Sequence, residues 1–331
     1  MSALNPKNKI KNIAIITSGG DAPGMNAAIR AVTRVSLYHE IKVTGVIGGY
    51  SGLITGQFIN LDMSSMANIL KHGGTILKTG RCAEFMQAAA RKQAFEQLVR
   101  AGVDAFVCIG GDGSFTGAHT LFTEHGFSYI GVPATIDNDI FGTDYSIGFD
   151  TAVNVALDAI DRIRDTASSH DRLFIVEVMG HDSGFIAVDV GVAGGAEEIF
   201  FPENPIAVEQ AIEHIKRSVA RGKKSSILVT AEGKKPGRAY DLAEAIRKRA
   251  GFEARVCVLG HVQRGGSPTA RDRILASRLG AYAIEKLLQG ESDVMVGIQG
   301  EKLVTHKVGS ILGKKKQIPN ELIKLAQILS A

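Results

Sequence analysis

Cysteine is scarce in this sequence. Of the 331 residues only 3 are cysteine: Cys82, Cys108 and Cys257 lie far apart and form no Cys-x-x-Cys pair. This usage argues against a disulfide framework and against a zinc site, and it is typical of a reducing compartment. We therefore expect a cytoplasmic protein.

Long apolar runs and strong charge of one sign are also missing. The longest apolar run, Phe185–Ala196, is broken by glycines and by Asp189, so it cannot span a bilayer. Met1–Asn12 is polar and lacks the apolar core of a signal peptide. The net charge of +4 is mild, and the cluster Lys314–Lys316 is interpreted as a solvated surface run. We expect neither a membrane nor a nucleic acid as a partner.

What is present is an alternation of strand-like and helical segments. A hydrophobic content of 45% and a charged content of 22% are globular values, and the length suffices for two domains. The alternation predicts an α/β fold with parallel sheets and right-handed crossovers. The strand-like runs are Ile13–Thr17, Val43–Ile47, Ala105–Ile109, Tyr129–Val132, Leu173–Val178, Ser226–Thr230, Arg255–Leu259 and Val294–Ile298.

Helical spacing of apolar residues marks the core-facing stripes of the helices. A helix is predicted from Met25 to Tyr38. Two further stripes at helical spacing are interpreted as core, not as ligand-binding faces. They are Val153, Leu157 and Ile160, and Val208, Ile212, Ile215 and Val219. No low-complexity linker and no fixed-period repeat divides the chain, and a domain boundary is placed near Gly148.

The most informative segment is Pro133–Asp139, which follows a buried strand and contains Asp137 and Asp139. Ligands of open α/β sheets bind beyond the carboxyl ends of the strands. A carboxylate there can take a proton from a substrate hydroxyl or hold a metal ion. Asp and Asn are also common turn formers, so a solvated turn is the alternative.

Two glycine-rich loops strengthen the first interpretation. Thr17–Asn26 and Gly110–Gly117 each connect a strand-like run to a helix, a geometry that presents backbone N–H groups to phosphate. The first loop is neither a Walker A sequence nor a clean dinucleotide fingerprint, and a tight turn that needs glycine is its alternative. The second loop carries Asp112, which suits a nucleotide phosphate bridged by Mg²⁺. Together the three loops indicate phosphoryl transfer.

Four motifs in series resemble those of the bacterial 6-phosphofructokinase family. They are TSGGDAPGMNA, GGDGS, TIDND and, at His261–Pro268, HVQRGGSP. The resemblance extends through Gly142–Ala152 and Asp272–Ile284. It covers nearly the whole chain, except the first ten residues and a divergent C-terminal tail.

The resemblance implies a fold, a reaction and an assembly. It implies two doubly wound three-layer α/β/α domains with mainly parallel sheets: an ATP-binding domain of 1–148 plus about 264–313, and a sugar-phosphate-binding domain of 149–263 plus about 314–331. The implied reaction moves the γ-phosphoryl group of Mg-ATP to the C1 hydroxyl of fructose 6-phosphate. The implied assembly is a homotetramer, because Arg172 and Arg255 match residues that reach into a neighbouring subunit.

The resemblance also assigns roles to residues. Asp137 is the expected general base, supported by Thr135 and Asp139, and Asp112 is the expected Mg²⁺ ligand. The nucleotide is expected to contact Gly19, Arg81, Cys82, Gly111, Asp112, Gly113 and Ser114. The sugar phosphate is expected to contact Thr135, Ile136, Asp137, Arg172, Met179, Gly180, His181, Glu232, Arg255, His261, Val262, Gln263 and Arg264. A nucleotide effector is expected to contact Arg30, Arg34, Arg164, Gly195, Glu197, Arg221, Lys223 and Ser225.

Three positions depart from the family pattern. Ala134 replaces the glycine that is typical of the bacterial ATP-using members, and one methyl group is a minor intrusion; the other two departures bear on function. His181 stands where the family usually has an arginine that stabilises the transferring phosphoryl group. Histidine is only partly charged at neutral pH, and loss of a full charge there costs on the order of 10³-fold in rate if nothing compensates. We expect His181 to keep a hydrogen-bonding role, with bound phosphate favouring its protonated form. Gln57 replaces an effector-binding arginine, so we expect weak activation by ADP.

The small residues Gly113 and Ala134 favour ATP as donor, because pyrophosphate-using members of the family tend to have Asp and Lys there. Three alternatives stay open. The first is a pyrophosphate-dependent phosphofructokinase. The second is a non-catalytic, sugar-phosphate-binding regulatory paralogue. The third, a hydrolase or nicotinamide-dependent enzyme, lacks a Gly-x-Ser-x-Gly motif and a fitting glycine pattern.

Overall fold

The chain forms two compact α/β units, described by a computed structural model over residues 10–168, 173–222, 225–233 and 236–330. The chain passes between the units several times. The first unit comprises Met1–Thr135, Ile140–Asp150 and Ser267–Lys316. The second comprises Ile136–Asp139, Thr151–Gly266 and Gln317–Ala331.

The first unit is built on a sheet of seven strands in the order β11-β10-β5-β4-β1-β2-β3. The strands are β1 Asn12–Thr17, β2 Lys42–Val46, β3 Phe58–Leu61, β4 Ala105–Gly110, β5 Tyr129–Pro133, β10 Val294–Gln299 and β11 Lys302–Lys307. The inner pairs are parallel, and the outermost strands β3 and β11 pair antiparallel with β2 and β10. The helices are α1 Met25–Tyr38, α2 Gly49–Thr55, α3 Ala88–Arg100, α4 Asp112–His125, α9 Ala270–Leu288 and α10 Val308–Ile311.

The second unit is built on a fully parallel sheet of four strands in the order β7-β8-β6-β9. The strands are β6 Leu173–Val178, β7 Glu198–Phe200, β8 Ser226–Ala231 and β9 Ala254–Val258. The helices are α5 Phe149–Ser168, which begins at the last residues of the first unit, and α6 Phe185–Ala193, α7 Val208–Ala220, α8 Arg238–Ala250 and α11 Asn320–Ser330. Short 3₁₀ helices occur at Ile69–Lys71, Ala83–Met86 and Gly260–Arg264.

Burial explains which segments became central strands. Every residue of β4 and of β8 is buried, as expected for parallel strands that are covered by helices on both faces. The α/β fold with mainly parallel sheets is thus confirmed, with antiparallel pairs confined to the edges of the first sheet. Val219, interpreted from its spacing as core, is instead 50% exposed, because in the last turn of α7 the buried position is taken by its neighbour Ser218.

The unit boundaries differ from the domain limits drawn on the sequence. Ile136–Asp139 belongs to the second unit although it directly follows a strand and loop of the first. The physical reason is that the segment is bonded there: the Ser183 hydroxyl lies 3.2 Å from the carbonyl oxygen of Asp137. Which ligand each unit binds stays a prediction.

Glycine is required where α1 begins. Gly24 lies at its N-terminal cap with φ of 107°, in the left-handed region that favours glycine. A Cβ atom at this position would lie 2.7 Å from Cγ2 of Ile147. The turn between β1 and α1 therefore depends on the absence of a side chain at Gly24.

Candidate active site

Three loops begin on the same side of the first unit's sheet, at the carboxyl ends of β1, β4 and β5. These three strands are neighbours in the sheet and run parallel. The loop after β1 is joined to the end of β4 by a hydrogen bond from the Ser18 amide to the Ile109 carbonyl, 3.1 Å long. The loop after β5 is joined to the end of β4 by a bond of 2.9 Å from the Ala134 amide to the Gly110 carbonyl. The sheet therefore brings together the two glycine-rich loops and the first residues of the third segment, up to Thr135.

A fourth segment joins this edge from the region between β3 and α3. The Gly19 amide donates to the Gly80 carbonyl over 3.3 Å, and the Thr79 hydroxyl donates to the Gly19 carbonyl over 2.9 Å. Arg81 follows directly and is exposed, and Cys82 is half-buried. The structure thus places these two predicted nucleotide contacts beside the first glycine loop.

The glycine loop after β4 is packed tightly on one side and open on the other. A Cβ at Gly110 would lie 2.5 Å from the Ser114 Oγ and 2.6 Å from the Ser18 carbonyl oxygen. At Gly113 a Cβ would meet nothing within 4 Å. Ser114 itself is buried. The open side of this loop lies over the N-terminal turn of α4, whose N–H groups favour anions.

The donor set at this loop fits a magnesium ion only in combination with phosphate. Asp112 is an exposed carboxylate in the first turn of α4. Across residues 10–168, 173–222, 225–233 and 236–330, no three His, Cys, Asp or Glu side chains form a group that could hold a metal ion. Mg²⁺ is commonly bound by one or two carboxylates together with substrate phosphates. Asp112 therefore matches Mg²⁺ delivered with a nucleotide and does not form an all-protein site.

The pKa of the Asp137 carboxyl group in the second unit is raised. Burial raises its pKa to about 6, and the negative charges of Asp139 and Glu232 act in the same direction. Arg264 and His181 oppose the shift. A carboxyl group with a pKa near 6 is ionised at neutral pH and still basic enough to accept a proton.

His181 lies on a turn at the carboxyl end of β6. It has a φ of 52°, which is uncommon for a residue with a side chain. Its amide donates to Oε1 of Glu232 over 3.3 Å, and its Nδ1 lies 3.4 Å from a carboxylate oxygen of Asp182. The ring is 60% exposed. The residue that replaces the expected arginine is therefore accessible and carries an adjacent acidic group.

The predicted sugar-phosphate residues fall into accessible and buried groups. His261 and Val262 are exposed and Arg264 is half-buried. Gln263 is fully buried: its Oε1 accepts from the Met179 amide over 2.7 Å and its Nε2 donates to the Ala152 carbonyl over 3.3 Å. Its side chain holds the backbone at Met179 and does not face a ligand.

The remaining members of this set differ in position. Ile136 is fully buried and Met179 is 6% exposed, so their side chains are core-forming. Arg255 is exposed on the edge strand β9. Arg172 lies outside the described residues.

The predicted effector residues divide between the units. Arg30 and Arg34 are on α1 of the first unit. In the second unit, the Arg164 guanidinium donates to the carbonyls of Gly194 and Gly195.

The rest of the effector set gathers where β7 and β8 begin. The buried Glu197 carboxylate accepts from the Ile227 amide. Arg221 and Ser225 lie between α7 and β8. Lys223 lies outside the described residues.

Two residues of the second unit's site were missed by the sequence interpretation. Ser183 is 6% exposed and ties Asp137 to the turn that carries His181. Glu177 is buried on β6 and bonds to the start of α8. The available signal for Glu177 is a charged residue within an otherwise apolar strand; Ser183 carries no signal beyond its place in the motif.

Glycine-rich loops that follow parallel strands and lead into helices are typical of α/β proteins that bind phosphate groups. Comparison with known proteins gives the family. The phosphofructokinase family model matches residues 12–287. The chain belongs to the phosphofructokinase family.

Individual relatives cover the chain over most of its length. It is 55% identical over 322 residues to an ATP-dependent 6-phosphofructokinase 1 of Thermus thermophilus. The aligned region covers 97% of this chain and 100% of the relative. It is 50% identical over 321 residues to an ATP-dependent 6-phosphofructokinase of Bacillus subtilis. That aligned region also covers 97% of this chain and 100% of the relative. The crystal structure of Pichia pastoris phosphofructokinase in the T-state superposes with a TM-score of 0.86 at 35% identity, over 92% of this chain and 36% of that longer chain.

The helices were also compared with the requirements of a membrane span. None of the helices in the described part of the chain combines the length and apolar character needed to cross a bilayer.

Proposed function

We propose that this chain transfers the γ-phosphoryl group of ATP to the C1 hydroxyl of fructose 6-phosphate, giving fructose 1,6-bisphosphate and ADP. The names of relatives that match the full length at 50–55% identity support this activity. The observation that carries the chemistry is the half-buried Asp137 carboxyl group, with its pKa raised to about 6. A group of this kind is suited to accept a proton from a substrate hydroxyl.

The nucleotide is assigned to the loops of the first unit. Backbone N–H groups near Gly19 and Gly111 would bind the phosphates, with Ser114 beneath them, and Arg81 and Cys82 would lie along the nucleotide. Asp112 would hold Mg²⁺ through its carboxylate. When bound, the ion neutralises charge on the β- and γ-phosphates. The role of the protein here is alignment of the donor, which is the larger part of catalysis in phosphoryl transfer.

Asp137 would act as the general base. As the C1 oxygen attacks phosphorus, its proton moves to the Asp137 carboxylate. The half-buried Arg264 lowers the pKa of Asp137, whereas burial and the charges of Asp139 and Glu232 raise it, and the balance leaves the group ionised at neutral pH. Thr135 precedes the base and is half-buried. Its carbonyl is held by the Ser146 hydroxyl at 2.7 Å, which fixes the chain just before the base.

The sugar phosphate is assigned to the second unit. His261 and Arg264 would bind the 6-phosphate, and arginine suits this role because its planar fork pairs with phosphate through two hydrogen bonds. Glu232 would accept hydrogen bonds from the sugar hydroxyls. Arg172 and Arg255 would come from a neighbouring subunit, which makes a homotetramer the proposed assembly. The exposure of Arg255 on an edge strand is consistent with that contribution.

A nucleotide effector and a cytoplasmic location complete the proposal. Arg30, Arg34 and the group around Arg164 and Glu197 are the proposed effector contacts, with Gln57 weakening the response to ADP. The three cysteines are free thiols, and such usage fits a reducing cytosol.

ATP is the proposed donor and pyrophosphate the alternative. Open space beside Gly113, where a Cβ would meet nothing within 4 Å, leaves room for a nucleotide. The test is fructose 1,6-bisphosphate formation by the purified protein with Mg²⁺ and fructose 6-phosphate, supplied with ATP or pyrophosphate in parallel. Turnover with ATP alone supports the proposal. Turnover with pyrophosphate alone overturns the donor assignment, and no product from either donor favours a non-catalytic sugar-phosphate-binding protein.

A further inference from the structure

A buried carboxylate on β6 makes contacts that the proposed mechanism does not use. Glu177 is 1% exposed. Its Oε1 accepts from the Gly237 amide and its Oε2 from the Ala239 amide, each over 2.8 Å. Both amides lie where α8 begins. A charge buried in a strand is costly unless it is hydrogen-bonded, and these two bonds satisfy it.

The start of α8 needs such an acceptor. The first N–H groups of a helix have no partner within it, and α8 has no side-chain cap of its own at Gly237. Gly237 has a φ of 113°, which only glycine adopts readily. The anionic oxygens of Glu177 also interact favourably with the positive end of the helix. Glu177 therefore anchors α8 from a different element.

The residues next to Glu177 bond to segments that carry predicted substrate contacts. The Glu232 amide donates to the Val178 carbonyl over 2.9 Å. The Leu259 amide, which precedes the His261 segment, donates to the carbonyl of Glu177 over 3.0 Å. Glu232 and Gly237 thus bond to consecutive residues of β6. The Glu177 carboxylate therefore ties the start of α8 to the same end of β6 that holds Glu232.

We propose that Glu177 is a positioning residue for the sugar phosphate: by bonding the start of α8 to β6 it fixes the end of that strand, where Val178 holds the Glu232 amide. Glu177 does not touch the substrate and acts through β6 and its backbone bonds to Glu232 and Leu259. This inference rests on the proposed binding of fructose 6-phosphate to the second unit.

The test is Glu177→Gln in the full-length protein. The variant keeps the size of the side chain but turns one acceptor into a donor that opposes an N–H group. We expect the KM for fructose 6-phosphate to rise about tenfold, the change in equilibrium constant that loss of one charge-assisted hydrogen bond produces. The KM for ATP should stay within twofold of wild type. Calorimetric titration with fructose 6-phosphate should show the same weakening without turnover.

A matched control separates positioning from general destabilisation. Glu198 is a similarly buried glutamate in the same sheet, on β7, where it pairs with His214 at 2.6 Å. Glu198→Gln should lower the melting temperature without changing the KM for fructose 6-phosphate. Equal KM changes in both variants would overturn the proposal.

A conservative variant covers the case in which Glu177→Gln does not fold. Glu177→Asp keeps the charge and both oxygens on a shorter side chain and should retain part of the affinity. If wild type binds fructose 6-phosphate and both Glu177 variants bind it equally well, the positioning role is wrong. If wild type neither binds nor phosphorylates it, the proposed function itself fails.

Discussion

The Ser183 hydroxyl lies 3.2 Å from the carbonyl oxygen of Asp137 and 3.1 Å from that of Gly180, within donating distance of both. Ser183 is 6% exposed, so water competes little for these carbonyls. The backbone of the proposed base is thereby bonded to the turn that carries His181. The Ser183 hydroxyl thus contributes a bond between two segments that lie far apart in the sequence.

Ser183→Ala should lower kcat about fivefold without changing the KM for fructose 6-phosphate. One neutral hydrogen bond contributes on the order of 1 kcal/mol, and its loss lets the Asp137 backbone move relative to the turn. Steady-state kinetics measure the effect. Ser277→Ala is the control, because among the described residues the Ser277 hydroxyl bonds to the Arg273 carbonyl of its own helix and to no other element. An unchanged kcat in Ser183→Ala would show that the bond does not position the base.

The pH dependence of the reaction should report the ionisation of Asp137. Its pKa is raised to about 6, chiefly by burial, and only the ionised form can accept a proton. We expect kcat/KM to fall tenfold per pH unit below about pH 6. In Asp137→Asn this acid limb should be absent from the residual activity. A profile that stays flat down to pH 5 in wild type would contradict the assignment.

Asp137→Asn should lose rate and gain stability. Removal of a general base costs roughly 10²- to 10⁴-fold in kcat. The folded-state pKa of Asp137 lies above the ordinary value of 3.8 for an aspartate, so the folded protein binds this proton more tightly than the unfolded chain. Between about pH 4 and pH 6 this group therefore makes wild type less stable as pH rises, by roughly 3 kcal/mol in total.

The measurement is the melting temperature of wild type and Asp137→Asn as a function of pH. The variant lacks the ionised carboxylate, so it should melt higher than wild type at pH 8. The difference should vanish near pH 4, where both side chains are neutral. A difference that is the same at the two pH values would show that ionisation of Asp137 is not its cause.

Sequence patterns predicted the elements whose burial is most complete. Helix α1 has the predicted bounds, and β4 appeared as a continuous apolar run because both of its faces are buried. The strands β3, β7 and β11 were not predicted. β7 has only 3 residues, and the edge strands β3 and β11 alternate too weakly between buried and exposed positions to be distinguished from loops.

The site could be predicted only where position along the chain determines proximity. Asp137 follows a strand, and the carboxyl end of a parallel strand is a general place for chemistry. The contacts of Glu177 could not be predicted, because its partners are backbone amides of α8, some 60 residues away. No side-chain pattern records such a bond. The roles of the site residues stay predictions until the variants are measured.

His181 should limit the rate of the reaction. Arginine is always charged and its planar fork pairs with phosphate through two hydrogen bonds, which an imidazole cannot do. We therefore expect His181→Arg to raise kcat by about tenfold. Steady-state kinetics with ATP and fructose 6-phosphate measure the effect.

His181→Gln is the matched variant, because it can donate a hydrogen bond but carries no charge. Its kcat should lie below that of wild type. Each variant meets the same left-handed backbone at this position, where φ is 52°. Equal kcat values in wild type, His181→Gln and His181→Arg would contradict a role for the imidazole in the reaction.

Gly113→Asp should weaken ATP binding while leaving the fold intact. A Cβ at Gly113 meets nothing within 4 Å, and an acidic residue is favourable in the first turn of α4. We therefore expect the free energy of unfolding to stay within about 0.5 kcal/mol of wild type. The added carboxylate would occupy the space proposed for the nucleotide phosphates and repel them, so the KM for ATP should rise at least tenfold.

Gly110→Ala, at the start of the same loop, is the control for a side chain that clashes within the protein itself. Its Cβ would lie 2.6 Å from the Ser18 carbonyl oxygen, a contact that requires the backbone to move, so the variant should lose about 1–3 kcal/mol of stability. Thermal unfolding and ATP kinetics on both variants distinguish a steric effect within the protein from one on the ligand. If Gly113→Asp unfolds as readily as Gly110→Ala, or binds ATP as well as wild type, the open side of the loop is not the nucleotide site.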